Sequence, residues 1–143
     1  MSESKIRPIA ICVIRRGHEL LVFEGYDSVD KGVYYRPLGG GVDFGEHSRA
    51  TVIREIQEEI GAEIVAPRLL GVLENVFVFE GERRHEIIFV YEATLADRSL
   101  LDQESPRGFE ANGAPMKICW KSLAAIEREG ARLVPDGLAA LIG

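Results

Sequence analysis

A chain of 143 residues, 46% hydrophobic and 28% charged, is long enough to bury a core of its own, and one domain over residues 1–143 is expected. The formal net charge of −6 removes the clustered basic surface on which polynucleotide binding rests, while leaving room for a small anionic ligand at a locally positive or metal-holding site. No run of about eighteen apolar residues is present to span a bilayer, so no membrane partner is expected.

The start, MSESKIRP, mixes acidic and basic residues and leads into IAICVI, too short for the apolar core of an export signal. A cytoplasmic protein is the expectation. Cys12 and Cys119, each inside an apolar segment and without a partner at metal-ligand spacing, agree with it as reduced core residues. Within RPIAICVIRRGHELLVFEG, two apolar runs flank Arg15 to Glu19, predicting two strands joined by a glycine-containing turn. Tyr26 to Pro37 reads as a polar loop leading into the triplet Gly39, Gly40 and Gly41. A helix follows, with Ser48 as its cap, Ile60 as its last periodic residue and Gly61 as a left-handed stop. Beyond it, AEIVAPRLLGVLENVFVFEGERRHEIIFVYEATL is rich in β-formers, with Glu80-Gly81-Glu82 as a hairpin tip and a long strand from His85 to Leu95. The alternation of Val76, Phe77, Val78 and Phe79 assigns the two phenylalanines to a packed sheet face. Asp97 to Pro115 is loop-like, MKICW a short strand, Ser122 the cap of a helix through Glu129, and Pro135 the first turn of a last helix ending near Ile142. Strands first and last with helices between them predict an α/β fold with a mixed sheet.

The helix after the glycines carries the chemistry. At about 100° per residue, Ile53, Ile56 and Ile60 fall on one stripe, expected to face the core, with Glu55, Glu58 and Glu59 gathered on the other side. An acidic helix face is ordinarily no more than a solvated one. Here, however, Glu55 and Glu59 repel at i,i+4, and Glu58 and Glu59 occupy the last turn, where a cation is favoured by about 0.3–1 kcal/mol. Such a breach of local rules is compensated by something else, and a divalent cation bound through carboxylate oxygens has the right charge. The three glycines permit close approach of a ligand to the main chain, offering a carbonyl to a metal or amides to a phosphate; alone they would mean only a tight turn.

Residues Gly40 to Ala62 resemble the Nudix box: Gly, five residues, Glu, seven residues, Arg-Glu, an aliphatic, any residue, Glu-Glu, any residue, Gly, an aliphatic. Gly40, Glu46, Arg54, Glu55, Ile56, Glu58, Glu59 and Gly61 stand in register, and only Ala62 departs, being smaller than usual. The pattern covers about a sixth of the chain, and the order of elements around it is also similar. The resemblance implies an α/β/α sandwich in which the box forms a loop-helix-loop. It also implies hydrolysis of a diphosphate bond in a nucleoside diphosphate joined to another group, with Mg²⁺ or Mn²⁺. It gives Glu58 and Glu59 as metal ligands, Glu55 as ligand or base, Gly40 as a carbonyl ligand or loop former, Arg54 as orienting the glutamates, and Glu46 and Gly61 as structural. A further acid from outside the box is implied; Glu110 is the candidate for it, as catalytic residue and metal ligand, and Glu104 the reserve.

Gly39 and Gly41 with Gly40, and Arg36 beside them, are candidate substrate contacts. His85 and Glu86 open a strand and are read as bystanders at its end, and Tyr34, Tyr35, Phe77 and Phe79, though able to stack on a base, are not assigned to that role. Among family subgroups, the proline that marks ADP-ribose specificity has no counterpart between Glu74 and Phe79, Tyr91 comes too late for the dinucleoside polyphosphate tyrosine, and the NADH motif is missing. These absences place (d)NTPs, oxidised ones included, ahead of ADP-ribose, nucleotide sugars and dinucleoside polyphosphates. The short chain disfavours isopentenyl diphosphate isomerisation. A noncatalytic nucleotide sensor, which commonly loses box acids, and a structural domain with a decorative helix are the rival readings. Homodimers occur in the family, and nothing in the sequence forces one.

Overall fold

The computed structural model describes residues 4–142; part of the charged start read against an export signal, residues 1–3, lies outside them. The first elements are β1 (Ile6–Val13), β2 (Arg15–Arg16), β3 (Glu19–Asp27), β4 (Gly32–Gly41), α1 (Ser48–Ile60), β5 (Ile64–Phe79) and β6 (Glu82–Leu95). After a 3-10 turn at Arg98–Asp102 come β7 (Gly108–Phe109), β8 (Pro115–Met116), β9 (Ile118–Ser122), α2 (Leu123–Arg128), β10 (Arg132–Leu133) and α3 (Leu138–Ile142).

Strand β1 lies between β4, antiparallel, and β6, parallel. Alternate side chains go to opposite faces, so Ala10 and Cys12 join one core while Ile9, Ile11 and Val13 join another. Burial on both faces explains an apolar run without alternation. The mixed sheet runs β2-β3-β4-β1-β6-β5, with β9 beside β3 and β10 beside β4. Val52 and Ile56 of α1 cover one face, and Ile126 of α2 with Leu138 and Ile142 of α3 cover the other. The α/β class with a mixed sheet is therefore as expected.

The two strands β1 and β3 flanking Gly17, the β5–β6 hairpin and its turn at Glu80 and Gly81 also stand where they were expected. Cys12 is buried, Cys119 is half-buried, and both are free thiols. Ser122 caps α2, its hydroxyl accepting the Ala125 N–H at 3.1 Å. Three expectations are corrected. Tyr26 to Pro37 is no loop: β3 continues to Asp27 and β4 begins at Gly32, because six cross-strand pairs from Val22–Pro37 to Asp27–Gly32 absorb its polar residues into the sheet. The glycine triplet is likewise strand, Gly39, Gly40 and Gly41 pairing with Ile11, Ala10 and Ile9. Pro135 precedes the last helix instead of opening it; its carbonyl accepts the Leu138 N–H, where α3 starts.

Gly39 is required by proximity. A Cβ there would stand 2.1 Å from the Ala10 carbonyl oxygen, a backbone atom that cannot yield without moving β1. Gly32, in the same strand, would meet nothing within 4 Å. Gly39→Ala is expected to lower stability by about 1–3 kcal/mol, and Gly32→Ala by less than about 0.5 kcal/mol. Urea denaturation checks both, and equal midpoints would contradict the close packing of β4 on β1.

Candidate active site

Helix α1 is positioned by groups outside it. Its cap residue is His47, which makes no side-chain capping bond; the expected cap, Ser48, is the first helical residue, and its Oγ meets the Tyr91 hydroxyl of β6 at 2.7 Å. Glu46 takes over at the first turn, accepting from Thr51 Oγ1 at 2.7 Å and from the Asp43 N–H at 3.3 Å. Gly61 ends the helix in the left-handed conformation at φ 65°, its N–H donating to the Gln57 carbonyl. The inward stripe differs from the one expected. Val52, Ile56 and Glu59 are buried, whereas Ile53 is 37% exposed. A carboxylate thus occupies a core position, and Glu59 is not on the solvated side with Glu55 and Glu58.

Arg54 is surrounded by acids. Its Nε and Nη2 donate to the two oxygens of Glu46, each at 2.9 Å, and Nη2 also reaches the Gly41 carbonyl at 3.2 Å. Nη1 lies 3.0 Å from Glu55 and 3.3 Å from Glu58. Only a guanidinium, with five donors in a planar fork, can serve such a set. The Arg54 bonds, with the Thr51 hydroxyl after them, hold the Glu46 carboxyl down to about 2, so it stays ionised and engaged as a brace. Gly40 leaves room for Glu55: a Cβ at Gly40 would stand 2.5 Å from its carboxyl carbon.

Glu59 has no such partner. Its Oε1 is buried and hydrogen-bonds to nothing among the described residues. Burial pushes its carboxyl up to about 8; Arg36 and the Gly39 N–H oppose that shift, and the charges of Glu55 and Glu58 add to it. A buried oxygen of this kind is costly unless a donor or cation meets it. Three carboxylates and a nearby backbone carbonyl are hard oxygen donors, which suit Mg²⁺ or Mn²⁺ and not a soft metal. The residues fit such an ion, although among the described residues no three acidic, His or Cys side chains already converge as a cage. Arg54 Nη1 instead spans Glu55 and Glu58, acting as their counter-charge.

A cleft of about 350 Å³ opens between β1, β4, β5 and β6, and none of the acids or glycines of the box is in its lining. Ile9 and Ile11 of β1 and Ile88 of β6 are in its lining, with Tyr34 and Arg36 of β4 on one side and Val134 to Asp136 on another. Arg36 joins the cleft to the helix, since it lines the former and its charge acts on Glu59. Its Nη2 is 3.5 Å from the Gly39 carbonyl, and its Nε is buried without a partner.

Residues 5–136 match the profile of the NUDIX domain family. The chain belongs to the Nudix family. It is a Nudix pyrophosphohydrolase, of the class that hydrolyses pyrophosphate bonds in small nucleotide derivatives and generally uses divalent metal ions. Its fold is similar to that of a MutT NUDIX hydrolase from Burkholderia pseudomallei, 23% identical, with a TM-score of 0.69 over 97% of this chain and 98% of that one. A NUDIX hydrolase from Nitrosomonas europaea is 16% identical, with a TM-score of 0.66 over 96% and 86% of the two chains. The mutator MutT protein of Bacillus halodurans is 19% identical, with a TM-score of 0.62 over 96% and 81%. No helix among the described residues is long and apolar enough to cross a membrane.

Within this Nudix site the fold brings together Gly39, Gly40, Gly41, Glu46, Arg54, Glu55, Glu58 and Glu59, with Arg36 at the cleft. Glu110, at the turn of the β7–β8 hairpin, is exposed, and its charge raises the pKa of Tyr34 in the cleft wall, after the larger effect of burial. That hairpin is anchored to α1 at Gly108, where a Cβ would stand 3.1 Å from the Glu59 carbonyl oxygen. Glu104, the reserve, pairs instead with Arg16 at 3.2 Å, and Arg16 rests on the Trp120 ring. His85 pairs with Glu74 at 2.8 Å, and Tyr35 is a buried core residue. Phe77 and Phe79 lie on the more buried side of β5 as expected, Val76 and Val78 being exposed, and they also line the cleft. Sequence reading passed over Arg7 and Arg84, which also line it. Arg84, Glu86 and Ile88 share one face of β6 by alternation, a pattern visible once the strand is assigned.

Glu59 sets a pH dependence. The native carboxyl binds its proton up to about pH 8, the unfolded one only to about 4.5, so between these values the native state holds more protons. Metal-free protein is expected to lose up to a few kcal/mol of stability as pH rises through this window. Glu59→Gln removes the slope. Urea melts at successive pH values measure it, and a wild-type stability that climbs across the window would contradict this assignment.

Proposed function

We propose that this Nudix enzyme hydrolyses a nucleoside triphosphate or related nucleoside diphosphate derivative, with the nucleoside in the cleft and the pyrophosphate beside Gly39 to Gly41. The buried, unpartnered Oε1 of Glu59, which feels the charges of Glu55, Glu58 and the cleft residue Arg36, is the observation that carries this reading. Glu55, Glu58 and Glu59, with the Gly40 carbonyl and Glu110 from its hairpin, would hold Mg²⁺ or Mn²⁺. When bound, such an ion neutralises phosphate charge and acidifies a water nucleophile.

The protein's own groups supply the rest. Arg54 keeps Glu55 and Glu58 oriented while Glu46 fixes Arg54, so the carboxylates are positioned before substrate arrives. Arg36 offers an unused donor to a phosphate oxygen and offsets the charge of Glu59. A carboxylate among Glu55 and Glu110 takes the proton of the attacking water. The absence of a side chain at Gly40 seats the Glu55 carboxyl directly against the main chain of β4. The absence of the ADP-ribose, dinucleoside polyphosphate and NADH markers favours (d)NTPs, oxidised ones included. Free Cys12 and Cys119 suit a reducing, cytoplasmic setting.

Glu58→Gln and Glu59→Gln are each expected to lower turnover by on the order of a hundredfold or more while retaining the fold. The check is a panel of (d)NTPs, ADP-ribose, nucleotide sugars and dinucleoside polyphosphates with Mg²⁺ and Mn²⁺, products resolved by chromatography and folding followed by circular dichroism. Wild-type rates in either variant would falsify these ligand assignments.

A further inference from the structure

Away from the box, the cleft holds a second arginine whose hydrogen-bonding capacity the protein leaves unused. Arg84, on β6, lines the cleft, and its Nε is buried without a partner, as is that of Arg36. One Nη of Arg84 stands 3.7 Å from Glu82, and the guanidinium rests over the Phe79 ring at 5.6 Å from its centroid. Phe79 meets Tyr34 edge to face at 5.7 Å. An aromatic ring and a flanking acid therefore hold the guanidinium beside the cleft.

The acids of the cleft are, by contrast, engaged or peripheral. Asp27 accepts the N–H groups of Val29 and Asp30, and Glu86 pairs with Arg7 at 3.8 Å. Asp30 and Asp136 stand exposed at the rim. The buried capacity left over belongs to donors, so the complementary ligand presents acceptors. The two arginines also stand at different stations. Arg36 is at the Glu59 end, while Arg84 is beside Tyr34 and Phe79; Tyr34 and Arg36 point to the same side of β4, about 7 Å apart along the strand. A ligand with phosphates at Arg36 would reach Arg84 with its other end.

We propose that Arg84 reads the base, donating two N–H groups to O6 and N7 of a 6-oxopurine placed beside Tyr34 and Phe79, so that the enzyme prefers 6-oxopurine to 6-aminopurine nucleotides. The inference rests on the cleft being the nucleoside site. A guanidinium fork matches O6 and N7 as a bidentate pair, whereas adenine sets an amino donor against it at position 6. A pyrimidine has no N7: uracil and thymine offer a single acceptor at that edge, and cytosine an amino donor.

Inosine and adenosine monophosphate differ only at position 6 and the adjoining N1, which makes them the direct probes. Titrated by calorimetry into the full chain without metal, the inosine compound is expected to bind on the order of tenfold to a hundredfold more tightly. Arg84→Met should bring the two affinities within about twofold, chiefly by weakening inosine monophosphate. Arg84→Lys, which keeps the charge and lacks the fork, should do the same. Melting temperatures of both variants separate lost recognition from lost fold. Equal affinities in the wild type, a preference that survives Arg84→Met, or no binding of either monophosphate would overturn the proposal. Hydrolysis of ITP and ATP with equal efficiency would sink this inference alone, whereas an inosine preference in a protein that hydrolyses no nucleotide would sink only the hydrolase reading.

Discussion

Arg54 donates at once to Glu46, Glu55, Glu58 and the Gly41 carbonyl, and that guanidinium constrains everything the helix presents. Without it, acids crowded onto a short helix whose last turn has no basic residue would repel one another and the helix C-terminus. Glu46 is the fixed partner, bidentate and held ionised, while Glu55 and Glu58 share a single nitrogen. The asymmetry matters chemically. Arg54 is anchored on one side and leaves the other carboxylates with lone pairs to spare.

Glu59 supplies the complementary tension. It sits where a helix facing a core would place hydrocarbon, and β4 makes that tolerable because its glycines lie over the site and Gly39 contributes an N–H. The same strand passes from β1 to β3 and so carries Arg36 and Tyr34 into the cleft. One strand therefore couples the carboxylates to the pocket, and the glycine that cannot accept a Cβ against Ala10 is the reason it can run so close to β1.

Much of this was legible in the sequence because it depends on local or periodic signals. The apolar runs of β1, β3, β5 and β6, the left-handed stop at Gly61 and the register of the box needed no tertiary information. What escaped depended on partners distant along the chain. Tyr26 to Pro37 looks like a loop because its polar residues, Asp27 and Arg36 among them, are matched only when β3 and β4 are laid side by side. Ile53 looked like core and Glu59 like surface because helical periodicity gives spacing on the cylinder, not which side the glycine strand covers. Ser48 lost its capping role to Tyr91, more than forty positions away. Arg84 follows a hairpin turn in a charged run, and its seat over the Phe79 ring exists only once that hairpin is folded.

As proposed above, Glu55, Glu58 and Glu59 retain carboxylate oxygens that a divalent cation would join. Electron paramagnetic resonance of Mn²⁺ titrated into the wild type and into a Glu55→Gln, Glu58→Gln, Glu59→Gln variant, each with its fold verified, tests this without any substrate. Saturable quenching of the free Mn²⁺ signal in the wild type, lost in the variant, is the predicted result. Equal binding by both proteins, or none by the wild type, would contradict the account.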